Sequence, residues 1–474
     1  MTRDEVRAAA KRLTAWHQRF ACLFGRREAQ EHSLVYLKGL MSDQQWKSVE
    51  PIALRFARGR NGAAAAQKEV VALQGFITAS PWLAFDVFRE IQAVFAEELM
   101  PTATQWSIGT VGVIDESGFV KAGTQSVGVA PQWCGRLGKT QNCQVGVFLT
   151  GVTPGGTAML GARLFLPERW IGDRKRRRKT RVPTGVSFQT KPQIAADLMR
   201  QTLAGGKVHF DWIIADALYG DSGDFLDALE AMQQRYLLEV RCTTLVWTVD
   251  PAELPNVIPG SQRRQQRGAS EDHPLRSVQE IAATLAPHDW RPLKLREGTK
   301  GPLVFEFAVV RGWAMRHNRP GSPIWLVIRR SLDKAPQMWY YVSNASGETA
   351  WQELAMVTGT RCRVEECFED GKTHLGMADY ETRSWNSWHH HMSLVALAHL
   401  YVTLTKRDLK RDVPDLTLDM ALQLLRSAFA RSELSEQEAI DLIDYHRQRN
   451  RTAHDSHRKT WLRKHKRIKP EVLL

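Results

Sequence analysis

The chain has 474 residues, long enough for about two to four domains that each bury a core of their own. Hydrophobic residues make up 43% of it and charged residues 24%, so its composition and length exclude a disordered chain, a small disulfide scaffold and a membrane-embedded protein. The formal net charge of +14 indicates an acidic partner.

The first hundred residues are predicted to form helices. Residues 4–99 contain Ala-rich stretches and apolar residues spaced three and four apart, which is the period of an amphipathic helix. Pro101 closes this region, and a strand-rich block follows it. The strand candidates in that block are residues 111–114, 143–152 and 157–166. A Pro-Gly-Gly sequence between the last two suits a tight hairpin turn.

Helices and strands alternate over the next part of the chain. The candidates are a helix at 191–203, a strand at 212–215, a helix at 223–234 and a strand at 236–240. Three strands followed by helix, strand, helix and strand is the order of an RNase H-like fold, an α/β fold whose mixed sheet is flanked by helices. Order alone also permits other mixed α/β sheets.

Residues 243–350 break this alternation. They contain Pro- and Gly-rich loops and two further strand candidates, residues 303–310 and 323–329. We interpret this segment as an inserted, β-rich subdomain.

Helices are predicted again after this segment. The pattern favours one helix at 361–373, a long apolar helix at 387–406 and two shorter helices near the end of the sequence. The last of these has a capping-box signature formed by Ser435 and Glu438.

The positive charge is concentrated in two segments. Residues 173–181 hold seven basic residues and one acidic residue, and residues 447–474 hold ten basic and two acidic residues. These segments account for the whole net charge, because basic and acidic residues balance in the rest of the chain. A local excess of this kind is typical of a surface that binds nucleic-acid phosphate, although either segment alone could also be a solvated basic loop.

The cysteine pattern and the apolar runs bear on the compartment. The six cysteines are scattered without a CxxC pair and there is no secretory signal, so we expect a reducing cytoplasm. The most apolar run, residues 394–405, is too short to span a bilayer, so no membrane partner is expected. Cys362 and Cys367 lie near the histidines at 389–391, but their spacing matches no common zinc site.

Two aspartates directly follow strands that are predicted to be buried. Asp115 comes after residues 111–114, and Asp216 comes after residues 212–215. Each could be a turn or helix-capping aspartate. In an RNase H-like sheet, however, these two strands are neighbours, so carboxylates at their ends converge at the rim of the sheet.

A third acid is expected from a helix packed across this sheet. The segment RCRVEECFEDGK, residues 361–372, supplies two neighbouring candidates, Glu365 and Glu366. At about 100° per residue, Arg361, Glu365 and Lys372 share one helical stripe, and Glu366 is turned away from it. Glu365 is therefore the predicted third acid.

Three carboxylates suit the binding of two divalent metal ions, Mg²⁺ or Mn²⁺, because hard cations prefer oxygen ligands. Two such ions about 3.5 to 4 Å apart support in-line phosphoryl transfer. A paired-carboxylate glycosidase needs only two acids and remains an alternative at this point, although the basic segments disfavour it.

Long stretches around these acids resemble one family. They are residues 115–147 (DESGFVKAGTQSVGVAPQWCGRLGKTQNCQVGV), 163–170 (RLFLPERW), 188–195 (FQTKPQIA), 215–220 (ADALYG) and 363–401 (RVEECFEDGKTHLGMADYETRSWNSWHHHMSLVALAHLY). In these stretches the chain is similar to the DDE transposases of bacterial insertion sequences. The resemblance is closest to the DDE superfamily endonucleases, in which a β insertion interrupts an RNase H-like catalytic domain.

This resemblance implies that Asp115, Asp216 and Glu365 are the catalytic and metal-binding triad. Related transposases carry a Tyr, an Arg, a Glu and a Lys at fixed spacing around the last acid. Arg361, Glu365 and Lys372 match that pattern, and Thr358 stands in the Tyr position.

Two smaller departures from the family pattern leave the triad intact. Glu116 stands where relatives often carry a second Asp, and His390 stands where they often carry Arg.

We expect Arg361 and Lys372 to contact phosphate near the scissile bond. The alternatives are an ion pair between Arg361 and Glu365 and an exposed surface lysine at 372. Trp385 and Trp388 could stack on unpaired bases or could lie in the core. The other predicted DNA contacts are Lys121, Arg174, Lys175, Arg176, Arg177, Arg178 and Lys179.

The resemblance and the charge pattern together predict five regions. They are a helical DNA-binding region (1–104), the first part of the RNase H-like core (105–242), the β-rich insertion (243–350), the second part of the core (351–410) and a helical region with a basic tail (411–474).

The predicted function is that of an insertion-sequence transposase. It would bind terminal inverted repeats in double-stranded DNA, cleave the ends and transfer strands to target DNA with two Mg²⁺ or Mn²⁺ ions. A homodimer in a synaptic complex is expected because two ends must be joined, and the location would be the bacterial cytoplasm near the nucleoid. A domesticated DNA-binding protein that has lost its chemistry is the alternative.

Overall fold

The computed structural model describes residues 3–56, 63–253, 274–298, 301–317, 319–410, 416–429 and 436–464. Ser435 of the predicted capping box and the basic residues beyond 464 lie outside these ranges. The chain divides into two compact units. The first comprises Met1–Trp82, Asp379–Glu381 and Asp419–Leu474, and the second comprises Leu83–Ala378 and Thr382–Leu418.

In the residues that the structure describes, the first unit contains helices joined by loops and no strands. Its early helices are α1 (Arg3–Ala21), α2 (Arg27–Met41), α3 (Val49–Phe56) and α4 (Ala63–Thr78). Helix α2 shows why this segment is helical, because Tyr36, Leu37 and Leu40 recur at spacings of three and four and are all buried.

Helix α5 (Ala84–Glu98) lies within the predicted helical region 1–104 but belongs to the second compact unit. It packs on a strand of the sheet and on a later helix of the same unit. Gln92 donates a hydrogen bond of 2.8 Å to the carbonyl of Leu160. The ring of Phe95 occupies the space over Gly151, where a Cβ would lie 2.5 Å from it.

The second unit is built around one large sheet. Its strands are β1 (Val111–Val120), β2 (Ala130–Cys134), β3 (Lys139–Thr153), β4 (Gly156–Leu164), β5 (Trp212–Ala215), β6 (Tyr236–Val240), β7 (Leu245–Trp247), β8 (Leu275–Ser277), β9 (Arg291–Gly298), β10 (Gly301–Arg316), β11 (Arg319–Arg330) and β12 (Met338–Ser343). Strand β1 pairs antiparallel with β3 and parallel with β5, and β5 pairs parallel with β6. Strand β4 pairs antiparallel with β3. This is the mixed α/β architecture of an RNase H-like fold, as predicted.

Helices cover this sheet. They are α6 (Glu168–Ile171), α7 (Arg174–Lys179), α8 (Lys191–Ala204), α9 (Ala217–Gly220), α10 (Gly223–Ala231), α11 (Val278–Ala283), α12 (Trp351–Thr358), α13 (Cys362–His374) and α14 (Trp385–Lys410). Helix α14 packs on β4 and α5, and α8 packs on β3. All four residues of β5 are fully buried, as expected for a central strand covered on both faces.

The strands of residues 243–350 continue the same sheet instead of forming a sheet of their own. Strand β12 pairs antiparallel with β6, with Tyr341 opposite Glu239, and β11, β10, β7 and β8 follow outward in that order. One face of these strands has its own apolar core, which includes Val278, Leu326 and Tyr340. The insertion is therefore an extension of the same sheet.

The last helices, α15 (Leu418–Phe429) and α16 (Glu436–Lys464), belong to the first unit except for Leu418. From residue 447 to residue 460 every side chain of α16 is exposed. No helix in the described ranges has the length and apolar character needed to cross a membrane.

Candidate active site

Three parallel strands end their mutual pairing at the same level of the sheet. In the register of β1, β5 and β6, Ile114 lies opposite Ala215 and Ala215 lies opposite Leu238. The next residue on each strand is a carboxylate. These residues are Asp115, Asp216 and Glu239. Because neighbouring strands are about 4.8 Å apart, this register sets three acids in a row across the sheet.

Asp115 is the most buried of these acids, with 8% of its surface exposed. Its strand does not end there, as the sequence suggested, because β1 continues to Val120 by pairing with β3. One carboxylate oxygen, Oδ1, accepts a hydrogen bond of 2.7 Å from the backbone N–H of Glu116. Burial raises the pKa of Asp115 to about 7; Arg361 opposes this rise and Asp216 adds to it. Burial therefore favours the neutral form of this carboxyl group, and a nearby cation favours its ionised form.

Asp216 is half-buried and caps helix α9. Its Oδ1 accepts a hydrogen bond of 3.0 Å from the backbone N–H of Leu218. The capping role that the sequence left open is therefore real, and it fixes the carboxylate at the strand end. The capping hydrogen bond uses one of the roughly four lone-pair sites of the Asp216 carboxylate. Its other oxygen therefore stays available to a ligand.

Glu365 comes from helix α13, which packs against β1. Its Oε1 lies 3.1 Å from Nη1 of Arg361, the residue that precedes the helix. The same guanidinium lies 3.7 Å from Oδ2 of Asp115 and 3.9 Å from Oε2 of Glu239. Arg361 thus connects the helix with the strand ends. We call Asp115, Asp216, Glu239 and Glu365 the carboxylate cluster.

The neighbouring Glu366 is directed elsewhere. It forms ion pairs with Arg296 at 2.7 Å and with Arg363 at 3.0 Å. Burial favours its neutral form, but Arg363 and Arg296 outweigh this effect and lower the pKa of Glu366. The helical-stripe argument is consistent with this geometry, since the two adjacent glutamates have separate partners.

Glu239 is a member of the cluster that sequence reasoning missed. Burial raises the pKa of Glu239, Arg361 opposes the rise, and Asp216 adds to it, so these charges lie within electrostatic reach of one another. The available signal was an acid within the buried strand YLLEV, next in the chain after the strand that precedes Asp216.

The donor set fits divalent cations. Every acidic group of the cluster is a carboxylate, which Mg²⁺ and Mn²⁺ prefer, and burial raises the pKa values of Asp115 and Glu239 despite the opposing charge of Arg361. Across the residues that the structure describes, no three His, Cys, Asp or Glu side chains converge closely enough to hold a metal ion. The Arg361 guanidinium stands among the acids instead.

Comparison with known proteins identifies the family of this chain. A family model described as DDE superfamily endonuclease matches residues 19–302. The chain belongs to this family. It is also similar to a protein described as a probable transposase for insertion sequence element IS701 from Microchaete diplosiphon, with 25% identity over 312 residues, which is 65% of this chain and 67% of that protein.

The two remaining positions of the transposase pattern lie on helices α12 and α13. Lys372 is half-buried, and its Nζ donates a hydrogen bond of 3.2 Å to the carbonyl of Gly118 on β1. It is therefore not the exposed surface lysine that the sequence allowed. Thr358, in the Tyr position, is buried and donates its hydroxyl hydrogen to the carbonyl of Ala355 at 2.7 Å. The Thr358 hydroxyl is therefore hydrogen-bonded within helix α12.

Glu116 is held beside the triad by two partners. It forms an ion pair with Lys191 at the start of α8 and accepts a hydrogen bond of 3.3 Å from the hydroxyl of Tyr219. Its partners thus differ from those of Arg361, which lies within ion-pair distance of Asp115, Glu239 and Glu365.

The basic helix α7 combines structural and exposed cations. Arg177 donates to the carbonyls of Ile171, Pro183, Thr184 and Val186. Arg176 stacks on Trp170 with 3.7 Å between its guanidinium carbon and the ring centre, and Lys179 donates to Gln125. The side chains that are exposed and not used in this way are those of Arg174, Lys175 and Arg178. Only part of the predicted DNA-binding segment therefore remains open to a partner.

The two tryptophans differ. Trp388 is 1% exposed and packs between Phe119 and Phe148, so the prediction that it stacks on bases is wrong and its core alternative is correct. Trp385 is half-buried beside His389, so base stacking there stays a prediction. Lys121, just after β1, is half-buried and also keeps its predicted role as a proposal.

Proposed function

We propose that this DDE endonuclease is the transposase of an insertion sequence, which binds the element's terminal inverted repeats and catalyses metal-dependent cleavage and strand transfer. One observation carries the proposal. Asp115 and Asp216 follow the paired ends of the neighbouring strands β1 and β5, and Asp115 shares the guanidinium of Arg361 with Glu365 of helix α13. The likeness to a probable insertion-sequence transposase supports the choice of DNA as substrate.

In this proposal Asp115, Asp216 and Glu365 hold two Mg²⁺ or Mn²⁺ ions. When bound, such ions lower the pKa of an attacking water or hydroxyl and neutralise charge on the leaving oxygen. The burial of Asp115 keeps its carboxylate desolvated, so the field it exerts on a bound cation is strong. Arg361 presents its guanidinium to the same cleft, where it would orient the scissile phosphate by charge-assisted hydrogen bonds.

The exposed cations would supply sequence-independent affinity for duplex DNA. Arg174, Lys175 and Arg178 on α7 and the basic, exposed part of α16 fit phosphate oxygens. Two element ends must be joined, so we propose that two copies of the chain act together in a synaptic complex.

Cleavage of the element's own ends tests this function. Full-length protein is incubated with a duplex that carries the terminal inverted repeat, with Mg²⁺, with Mn²⁺ and with excess EDTA. We expect nicking at the repeat boundary and strand transfer only with a metal, and neither reaction with Asp216→Asn. Specific binding of the repeat without cleavage in any metal would support the domesticated, inactive alternative. Full activity in EDTA would contradict the two-metal mechanism.

A further inference from the structure

Arg361 has one more acidic partner than the proposed triad provides. Asp115 and Glu365, two proposed metal ligands, lie 3.7 Å and 3.1 Å from its guanidinium. The third partner, Glu239, lies 3.9 Å away and is outside the triad. Among the residues that the structure describes, these three are the carboxylates within ion-pair distance of Arg361.

Metal binding and Arg361 compete for the same acids. A divalent ion held by Asp115 and Glu365 needs their oxygens, and it repels a guanidinium a few ångströms away. If those two acids were its only partners, Arg361 would either prevent metal binding or lose every ion-pair partner when the metal binds.

The contacts of Arg361 indicate which acid its guanidinium would approach when metal ions bind. Its Nε is buried and has no hydrogen-bond partner, and the acid that this nitrogen approaches is Glu239. A small shift would turn this loose contact into a hydrogen bond and satisfy the buried N–H. Glu239 is well placed to accept it, because β6 is paired on both sides, with β5 and with β12, and its side chain is only 24% exposed.

We propose that Glu239 is a positioning residue, which takes the guanidinium of Arg361 when Asp115 and Glu365 bind the metal ions. Arg361 then stays in the cleft for the phosphate without competing for metal ligands. This inference rests on the proposed two-metal function and assigns a role to an acid outside the triad.

A double-mutant cycle read by metal affinity tests the proposal. Mn²⁺ is titrated into full-length protein without DNA by calorimetry, for the wild type, Glu239→Gln, Arg361→Gln and the double variant. Glu239→Gln should lower Mn²⁺ affinity about tenfold, or about 1.4 kcal/mol, because Arg361 falls back onto Asp115 and Glu365. In the Arg361→Gln background the same change should cost far less. Equal losses in the two backgrounds would mean that Glu239 acts on the metal directly, and no loss would mean that it has no role; either result overturns the proposal.

Three further variants make the result specific. Glu366→Gln, on the same helix but paired with Arg296 and Arg363, should leave Mn²⁺ affinity unchanged. Asp115→Asn should remove most of the binding. If wild type and Asp115→Asn bind Mn²⁺ equally, or neither binds it, the proposed metal site fails and this inference fails with it. Asp115-dependent binding with no coupling between Glu239 and Arg361 rejects the inference alone. If Glu239→Gln does not fold, Glu239→Asp takes its place in the cycle. This variant keeps the charge on a shorter side chain, so an intermediate loss of Mn²⁺ affinity is expected.

Discussion

The carboxylate cluster and the basic helix α7 each gather several charges of one sign, but the fold compensates them differently. In the cluster, three of the four acids share the Arg361 guanidinium as an ion-pair partner. In α7, Arg177 donates to four backbone carbonyls, Arg176 lies on an indole ring and Lys179 donates to Gln125, so three of six cations have structural partners. In the proposed function the cluster binds cations from outside, whereas α7 uses part of its charge internally.

This difference teaches that a run of like charges in a sequence has no single meaning. The physical criterion is whether neighbouring groups of the folded chain already satisfy the charge. By this criterion Asp115 is a ligand candidate, whereas Arg177 is a structural residue despite its position within RKRRRK.

The largest expected effect separates the two adjacent glutamates of α13. Glu365→Gln keeps the size of the side chain but removes a charged metal ligand, so cleavage of end DNA should fall by about a thousandfold or more. DNA binding should survive. Glu366→Gln, which loses ion pairs outside the cluster, should retain substantial activity. Rates of end cleavage for both variants, measured beside Asp115→Asn, decide which glutamate is the third catalytic acid. An inactive Glu366→Gln with an active Glu365→Gln would place that acid one residue later.

A smaller effect is expected for the basic end of the chain, whose described part is the exposed second half of α16. Deleting residues 447–474 removes ten basic residues and should weaken DNA binding by about ten- to a hundredfold for all sequences alike, with a shallower salt dependence. Fluorescence anisotropy at several salt concentrations measures both quantities.

The matched control for this deletion uses two cations that already have partners. Arg449 pairs with Glu50, and Arg447 pairs with Asp444 at 3.3 Å. Replacing only these two by Gln should reduce the salt dependence much less than the deletion does. A deletion that abolishes sequence preference while the salt slope stays constant would show instead that this segment reads bases.

The smallest effect on DNA binding is expected within α7 and tests the comparison most directly. Replacing Arg174, Lys175 and Arg178 together by Gln should lower DNA affinity about tenfold and leave the thermal unfolding midpoint unchanged. Arg177→Gln should do the reverse, with a loss of about 1 to 3 kcal/mol in stability from unsatisfied carbonyls. Thermal unfolding and DNA titration of both variants decide between the roles, and identical behaviour of the two would refute the division.

Much of the core could be predicted because its strands are short apolar runs bounded by turns. Residues 212–215 and 236–240 form strands with the predicted bounds. Strand β1 is longer than predicted, because its polar second half is extended by pairing with β3, which no local pattern reveals. Glu239 was missed for a related reason, since its place beside Asp216 depends on the register of β5 and β6.

The tryptophans and the insertion show a second limit. Helix α14 is apolar on most sides, so periodicity could not tell whether Trp388 faces the core, and only its contacts with Phe119 and Phe148 do so. Likewise, the composition of residues 243–350 indicated strands, but their attachment to β6 through β12 is a long-range contact.

The attachment of β12 to β6 also gives the insertion a protective role. Without it, β6 would be an edge strand with Tyr236, Leu237 and Leu238 buried beside unpaired backbone groups, and such an edge invites pairing with other chains. A catalytic core from which the insertion is removed should therefore self-associate in light scattering, even though it retains the proposed triad. The sheet edge that would otherwise aggregate is instead moved outward, to the short three-residue strand β8.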